Sequence, residues 1–228
     1  MNTTPLNSAD GSAIRDIIWT ETTEDIADVR ERFLNCFRSE VRKFVEDMSL
    51  AFVDWQNLNA VVDGDEKKEH VSALAYSAIN LHIISMKLFL SGYLVPSGNV
   101  QRQVLESIAL ALLGSKNSLD VLDRYISNQY STQNAVRDLL KQAGLLNLKK
   151  TFADVLKKAR DFYHVHSHPS FITIGSSLSF STQGARYLGA SYDEGKITNY
   201  RNEIKDRLSL AGVFNNFIAA LKTNLDEW

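Results

Sequence analysis

The chain has 228 residues, of which 44% are hydrophobic and 23% charged, values typical of a soluble globular protein that buries its own core. With 25 basic and 27 acidic residues the formal net charge is −2, which argues against a strongly basic nucleic-acid binder but leaves room for a local basic patch. The one cysteine, Cys36, excludes an intrachain disulfide and favours a reducing compartment.

The N-terminal residues 1–21 are rich in Ser, Thr, Asn and Asp, and we expect a flexible segment, with room for a short docked piece at Ile14–Trp19, ahead of one helical domain at 22–228. The start of the chain lacks the apolar region of a secretory signal. The most apolar stretch, 73–95, is interrupted by Asn80, His82 and Lys87, which favours a buried core helix over a membrane span. The sequence therefore predicts a cytoplasmic protein with no membrane partner.

Apolar residues recur every three or four positions through most of the chain, which is the period of an amphipathic helix. The first long helix is predicted to follow an N-cap at Thr22 or Thr23 and to end before the turn at 63–65. Pro96-Ser97-Gly98 is predicted to connect the second and third helices. We therefore expect an all-α fold, a bundle of about seven helices, at 22–62, 66–93, 99–114, 118–130, 132–143, 148–166 and 198–225.

The segment 170–195 differs in composition from the rest of the chain. Pro169 disfavours helix at His168 and blocks further helix. Four of the eleven glycines fall at 171–195, apolar and small or polar residues alternate at 171–180, and Thr182-Gln183-Gly184 is a turn signal. The sequence therefore predicts a β-hairpin at 170–195, inserted before the last helix.

A charged pair, Arg102 and Glu106, lies four residues apart and therefore on one face of the third helix. The helix is otherwise largely apolar, so we expect the pair to be partly buried. One interpretation is a structural ion pair that fixes helix packing. The other is a binding site, in which Arg102 holds a phosphate or carboxylate group and Glu106 orients it.

The second candidate site is the run from Arg160 to Pro169, which contains three of the five histidines of the chain. Arg160 and His164 are one helical turn apart, His166 falls nearer the apolar face, and His168 follows the helix. A guanidinium beside imidazoles that titrate near neutrality suits metal-free phosphodiester cleavage. The alternative is that the histidines cap the helix C-terminus.

Metal binding is the competing interpretation of His164, His166 and His168. Alternate side chains point the same way only in extended backbone, whereas residues two apart on a helix diverge by about 200°. Because the segment is predicted to be helical to about His166, a three-histidine chelate is not expected. Extended backbone after the helix could still place His166 and His168 on one metal with a carboxylate from elsewhere, but we assign neither a metal nor a cofactor. His82 and Cys36 are both predicted to be core residues.

Two stretches resemble a group of bacterial helical proteins that pair an Arg-x-x-x-Glu helix with a later Ser-His-Pro segment. They are 88–106, which contains Arg102 and Glu106, and Ser167-His168-Pro169-Ser170. That group resembles the HEPN superfamily, which includes abortive-infection and toxin ribonucleases. The HEPN signature is an Arg, a polar residue and a His a few residues on, and Arg160-Asp161 followed by His166 fits it loosely.

The resemblance implies a HEPN-like bundle and a defence- or toxin-type, metal-independent ribonuclease. In that case Arg160 holds the scissile phosphate, and His166 or His164 transfers protons. Arg102, Glu106 and His168 then shape the same cleft. A homodimer is implied as well, with RNA or a nucleotide as ligand and an antitoxin or defence protein as partner. The alternative is a non-catalytic helical binding or regulatory module in which these residues are structural.

Overall fold

The structure is a computed structural model that describes residues 11–24 and 27–228. Apart from one isolated β-bridge, every regular element in these ranges is helical, which confirms the all-α fold class. The described residues form ten α-helices: α1 (Gly11–Thr23), α2 (Ala27–Val62), α3 (Glu66–Leu90), α4 (Leu94–Gly114), α5 (Val121–Ile126), α6 (Ala135–Lys141), α7 (Lys150–Tyr163), α8 (Phe171–Ser177), α9 (Ile197–Ala211) and α10 (Phe214–Asp226).

The N-terminal region is helical where the structure describes it. Residues 11–21 lie in α1, which contains the segment Ile14–Trp19, whereas 1–10 fall outside the described residues. Thr22 and Thr23 do not cap α2, because their hydroxyls donate to carbonyls four residues earlier, at 2.6 and 2.8 Å. They therefore belong to the last turn of α1. The long α2 is present as predicted, with a kink at Phe37.

The turn between α3 and α4 comes earlier than predicted. α4 begins at Leu94, so Pro96 lies in its first turn, where a helical N–H has no partner within the helix and proline is tolerated. The reversal takes place at Gly92, whose φ of +83° suits glycine. A Cβ there would lie 2.7 Å from the backbone nitrogen of Ser191, so the close approach of a second loop also requires glycine.

α4 is the central helix of the bundle. It packs against α3, α5, α6, α7, α8 and α10, and its residues 108–114 are all buried. α3 is the one helix in the described ranges that is long and apolar enough to cross a membrane. It packs along α2 and α4 and contributes ten buried residues, as expected of a core helix. α4 therefore presents its few polar residues at the junctions between its neighbours.

The predicted β-hairpin at 170–195 is wrong. Its first part is the helix α8, and the described residues hold only one antiparallel bridge, between Leu178 and Arg186. The cause is a capping box: Ser170 Oγ accepts from the Thr173 N–H at 3.2 Å, and Thr173 Oγ1 accepts from the Ser170 N–H at 2.8 Å. This reciprocal pair starts a new helix directly after Pro169.

The remaining loop, 178–193, is held by two backbone hydrogen bonds beside this bridge, Ser179 N–H to the Ala185 carbonyl at 2.9 Å and Tyr187 N–H to the Ser177 carbonyl at 2.7 Å, and by Asp193. The carboxylate of Asp193 accepts from the backbone N–H groups of Phe180 and Gly195, at 2.6 and 2.9 Å. Burial opposes its charge, but these bonds and one from the Ser181 hydroxyl lower its pKa to about 2. The loop therefore has one bridge and a charged carboxylate in place of the two strands of a hairpin.

Two smaller predictions also need correction. The last predicted helix is divided, because a turn at Gly212 and Val213 separates α9 from α10. Cys36 is exposed on α2, with its sulfur 3.0 Å from the hydroxyl of Tyr192, instead of lying in the core.

Candidate functional site

The C-terminal end of α7 carries the histidine run. α7 ends at Tyr163, and a 3₁₀ turn (His164–Ser167) continues it for four residues. His168 then adopts extended backbone ahead of Pro169, as expected of a residue that precedes proline. Side chains from this end project to two sides of the molecule.

One side faces an open cleft of about 500 Å³ where α4, α6 and α7 meet. Its charged and titratable lining groups come from all three helices, and we call it the Arg cleft. They are Arg102 and Glu106 from α4, Arg137 from α6, and Arg160, Asp161 and His164 from the end of α7.

Two ion pairs lie in the Arg cleft. Arg102 Nε donates to Glu106 Oε1 at 3.0 Å, and the two side chains are 23% and 21% exposed, a partly buried pair as predicted. Arg160 donates to Asp161 Oδ1 from Nε at 3.0 Å and from Nη2 at 2.7 Å. Because a guanidinium has five N–H donors, an arginine can hold a carboxylate and still bind a phosphate beside it.

His166 lies on the other side of the α7 end. Its side chain is 1% exposed, and its Nε2 is 3.9 Å from Glu203 Oε1. It packs over Gly98, where a Cβ would lie 2.6 Å from His166 Cγ. Burial lowers the pKa of His166 below its usual value, although Glu203 opposes the shift. The structure therefore does not bring His166 to Arg160, and the loose HEPN-type pair does not converge within this chain.

His168 lies beside His164, outside the helix. It is exposed, and the two imidazole rings meet edge to face with centroids 5.2 Å apart. In the described part of the chain, no group of three or more His, Cys, Asp and Glu residues is close enough to hold a metal ion. The arrangement is thus a polar cleft with one imidazole in its lining and a second imidazole against the first.

A buried polar cluster, which sequence reasoning missed, lies behind His166. Arg207 is fully buried, and its Nη1 donates to Glu203 Oε2 at 2.7 Å and to the Tyr163 hydroxyl at 3.1 Å. Its Nη2 donates to Ser97 Oγ at 2.8 Å. Glu203 and Arg207 are four residues apart on the apolar face of α9. Two charged residues of opposite sign at positions where the helical period predicts apolar ones could have indicated this cluster from the sequence.

The same cluster continues to His82, which is a buried core histidine as predicted. Its Nδ1 lies 3.0 Å from Gln101 Oε1, and its Nε2 lies 3.2 Å from the carbonyl of Arg207. Burial lowers its pKa to about 4, so its imidazole is neutral at pH 7. This histidine has a structural role inside the bundle.

Arg137 is a charged lining residue of the Arg cleft that no local sequence pattern indicates. It lies on the short helix α6 and pairs with Asp138, the next residue in the chain, at 3.1 Å, so it lacks the i,i+4 spacing that marks a charged pair on one helix face.

Comparison with known proteins adds no candidate residue: no family model matches the chain, and no curated protein or solved structure matches it either.

Proposed function

We propose that the Arg cleft binds the phosphate groups of RNA and that the protein is a metal-independent endoribonuclease. The observation that carries the proposal is the convergence of Arg102, Arg137 and Arg160, from three helices, around one cleft that also contains His164. A guanidinium carries the charge opposite to that of a phosphate, and its planar fork can donate two parallel hydrogen bonds to two phosphate oxygens. Each of the three guanidiniums is paired with one carboxylate, Arg102 with Glu106, Arg137 with Asp138 and Arg160 with Asp161, so the cleft offers a concentration of guanidinium N–H donors and not an excess of positive charge.

The proposed reaction uses the ribose 2′-hydroxyl as nucleophile. A base removes the 2′-hydroxyl proton, the oxygen attacks phosphorus, and the bond from phosphorus to the 5′-oxygen breaks. An acid then protonates the leaving 5′-oxygen, which gives a 2′,3′-cyclic phosphate and a 5′-hydroxyl end. His164 is one of these proton-transfer groups, and His168, whose ring contacts it, is the other. The arginines stabilise the charge that develops on the phosphate.

The HEPN resemblance supports the same reaction class, with one role reassigned. On resemblance alone, either His166 or His164 could pair with Arg160. The cleft geometry favours His164, because His166 is buried on the opposite face beside Glu203. Neither a metal nor a cofactor is part of the proposal.

The test is RNA binding and cleavage by purified protein in the presence of EDTA. We expect single-stranded RNA to be cleaved to 2′,3′-cyclic phosphate ends, and the same DNA sequence to be bound but left intact because it lacks the 2′-hydroxyl. Arg102→Ala and Arg160→Ala should each weaken binding about tenfold or more, since each removes charge-assisted hydrogen bonds. His164→Ala should abolish cleavage and leave binding nearly unchanged.

The matched control is Arg38→Ala, on the exposed surface of α2, which makes the same change in net charge outside the cleft. Its RNA affinity and cleavage rate should equal those of the wild type. Equal loss of affinity in Arg38→Ala and Arg160→Ala would show non-specific charge attraction. RNA cleavage by the His164→Ala protein at the wild-type rate would show that His164 is not a proton-transfer group in the reaction.

A non-catalytic binding module is the second candidate function. The observation that favours it is that Arg102 and Arg160 each already have a carboxylate partner, as in a structural ion pair. On this alternative the wild type binds RNA or a nucleotide through the cleft without producing cyclic phosphate ends. The cleavage assay therefore separates the two candidates directly.

The resemblance also leads us to propose a homodimer and a toxin-type role with an antitoxin or defence partner. Light scattering on the protein as it elutes from a size-exclusion column should give twice the 25.6 kDa chain mass.

The toxin-type role is tested in bacteria, where induced expression should arrest growth and His164→Ala should relieve the arrest. A monomer that does not affect growth would contradict both expectations without affecting the binding proposal.

A further inference from the structure

A second cavity, of about 310 Å³, lies on the other side of the α7 end from the Arg cleft. It is bounded by the 3₁₀ turn, α8, α9 and the first turn of α4, and we call it the apolar pocket. Much of its wall is carbon, contributed by Leu94, Phe162, Phe171, Ile172, Phe180 and Tyr200. A mostly apolar cavity with a few polar groups is the usual form of a small-molecule site.

Glu203 and His166 lie next to each other in the polar lining of the apolar pocket, which also includes Ser176, Lys196, Asn199 and Asn202. Glu203 Oε2 is held by Arg207 at 2.7 Å, whereas Oε1 is 3.9 Å from His166 Nε2, beyond hydrogen-bond distance. The imidazole of His166 has a backbone hydrogen-bond partner in Phe162, so it is held in place within the chain. Glu203 Oε1 is therefore the acceptor in this lining to which a ligand can donate, and a hydrogen bond to a charged carboxylate is stronger than one between neutral groups.

Lys196 also lines this pocket, but it is already engaged. Its Nζ donates to the Ser176 carbonyl at 2.7 Å and lies over the rings of Phe180 and Tyr187, at 5.4 and 5.3 Å. Burial lowers its pKa, which further weakens it as an anion receptor. The apolar pocket is thus chemically unlike the Arg cleft, and it suits a neutral ring that donates hydrogen bonds.

We propose that the apolar pocket binds a nucleobase. A planar heterocycle packs between the aromatic side chains, and its N–H edge donates to Glu203 Oε1. Phe171 is 95% exposed at the mouth, so its ring has a face available for stacking. Guanine fits best, because its ring N–H and exocyclic amine are adjacent donors that can reach Oε1 and the second lone pair of Oε2, whose first lone pair accepts from Arg207.

The base can belong to a free nucleoside or to an RNA strand held in the Arg cleft, and only the second source depends on the proposed function. Calorimetric titration with guanosine, inosine and uridine tests the first source. Guanosine should bind at least tenfold tighter than inosine, which lacks the amine, and tighter than uridine. The Arg102→Ala/Arg160→Ala protein should bind guanosine as the wild type does. This variant therefore tests nucleobase binding in the apolar pocket independently of phosphate binding in the Arg cleft.

Two glycines provide a matched pair of blocking variants. Gly175 lines the apolar pocket and Gly144 does not, and a Cβ at either position would have no atom within 4 Å. Gly175→Leu should reduce guanosine affinity at least tenfold, and Gly144→Leu should not change it. Phe171→Ala, at an exposed position that cannot disturb the core, should weaken binding as well. Equal guanosine affinity in all three variants, or no binding at millimolar nucleoside, would overturn the proposal.

The second source is tested with short RNAs. If the pocket reads a base of bound RNA, Gly175→Leu should abolish a preference for strands containing guanine while leaving affinity for oligouridine unchanged. If only free nucleoside occupies it, the variant binds every strand as the wild type does. Arg160→Ala should weaken binding of all strands alike.

Discussion

The two faces of the α7 end carry similar residue types in opposite environments. On the open face, Arg160 and His164 line the Arg cleft. On the inner face, Tyr163 and His166 are buried against Glu203 and Arg207 of α9. Adjacent residues in the sequence therefore have different roles, because a helix turns each successive side chain by about 100°. The face on which a residue lies decides its role more than its chemical type does.

The same contrast separates two arginine–glutamate pairs of equal spacing. Arg102 and Glu106 are 23% and 21% exposed at the cleft, whereas the side chains of Arg207 and Glu203 are 0% and 11% exposed in the bundle. Solvent can replace a partner in the first pair but not in the second. We therefore expect the first pair to affect ligand binding and the second to affect folding.

The largest expected effect is that of Arg207→Ala. Removal of the buried guanidinium leaves Glu203 in the core without its charged partner and Tyr163 without its donor. We expect a loss of about 3–5 kcal/mol in the free energy of unfolding, measured by urea denaturation.

The control is Arg201→Ala, on the exposed face of the same helix, which should change stability by less than about 0.5 kcal/mol. A loss of less than about 1 kcal/mol for Arg207→Ala would show that the buried cluster is not a folding element.

The next effect is a pH dependence of stability that arises from His82. Its pKa is about 4 in the folded protein and about 6.5 in the unfolded chain, so the unfolded chain binds more protons below pH 6.5. The stabilisation from neutral His82 is therefore complete above pH 6.5 and is lost as the pH falls toward 4. The loss is about 3 kcal/mol, and His166 adds to it in the same direction.

Urea titrations at a series of pH values between 7 and 4 measure this slope. His82→Gln should reduce it, whereas His70→Gln, at an exposed histidine on the same helix, should not. An unchanged slope in His82→Gln would place the acid sensitivity in the carboxylates instead.

A smaller effect is expected from a matched pair of glycines in α4. A Cβ on Gly98 would lie 2.6 Å from His166 Cγ, whereas at Gly114 the nearest atom is 3.5 Å away. Gly98→Ala should therefore destabilise the protein by about 1–3 kcal/mol. Gly114→Ala should be neutral or stabilising, because alanine favours helix by about 1 kcal/mol. Gly98→Ala should lower the melting temperature and Gly114→Ala should leave it unchanged or raise it, and an equal decrease for both would contradict tight packing at His166.

The smallest effect on stability is expected from Arg160→Ala. Its partner Asp161 is 58% exposed, and exposed ion pairs contribute little. The change in unfolding free energy should stay below about 0.5 kcal/mol, in contrast to the large effect of Arg207→Ala. A loss above 2 kcal/mol would make Arg160 a structural residue.

Most of the fold could be predicted from periodicity, but the loops could not. The helical pattern predicted α2, α3 and α7 because each has a continuous apolar stripe. The hairpin prediction failed because short-range alternation at 171–180 did not reveal the capping box that starts α8. The turn at Gly92 was missed because its need for glycine depends on Ser191, about 100 residues away.

The candidate site was predicted in part. Arg102, Arg160 and His164 could be found from local spacing, and the structure places them around one cleft. Arg137 could not be found, since its helix is short and only tertiary packing brings it to α4. The burial of His166 follows from its position on the apolar face, which the sequence does indicate.

The most direct test of the central claim is the salt dependence of RNA affinity in Arg160→Ala. If Arg160 contacts a phosphate, the slope of log affinity against log salt should fall by about 0.7 relative to the wild type, as for one lost contact with a single strand. Arg38→Ala should leave the slope unchanged. An identical slope in Arg160→Ala and the wild type, with detectable RNA binding in both, would contradict the assignment of the Arg cleft as the phosphate site.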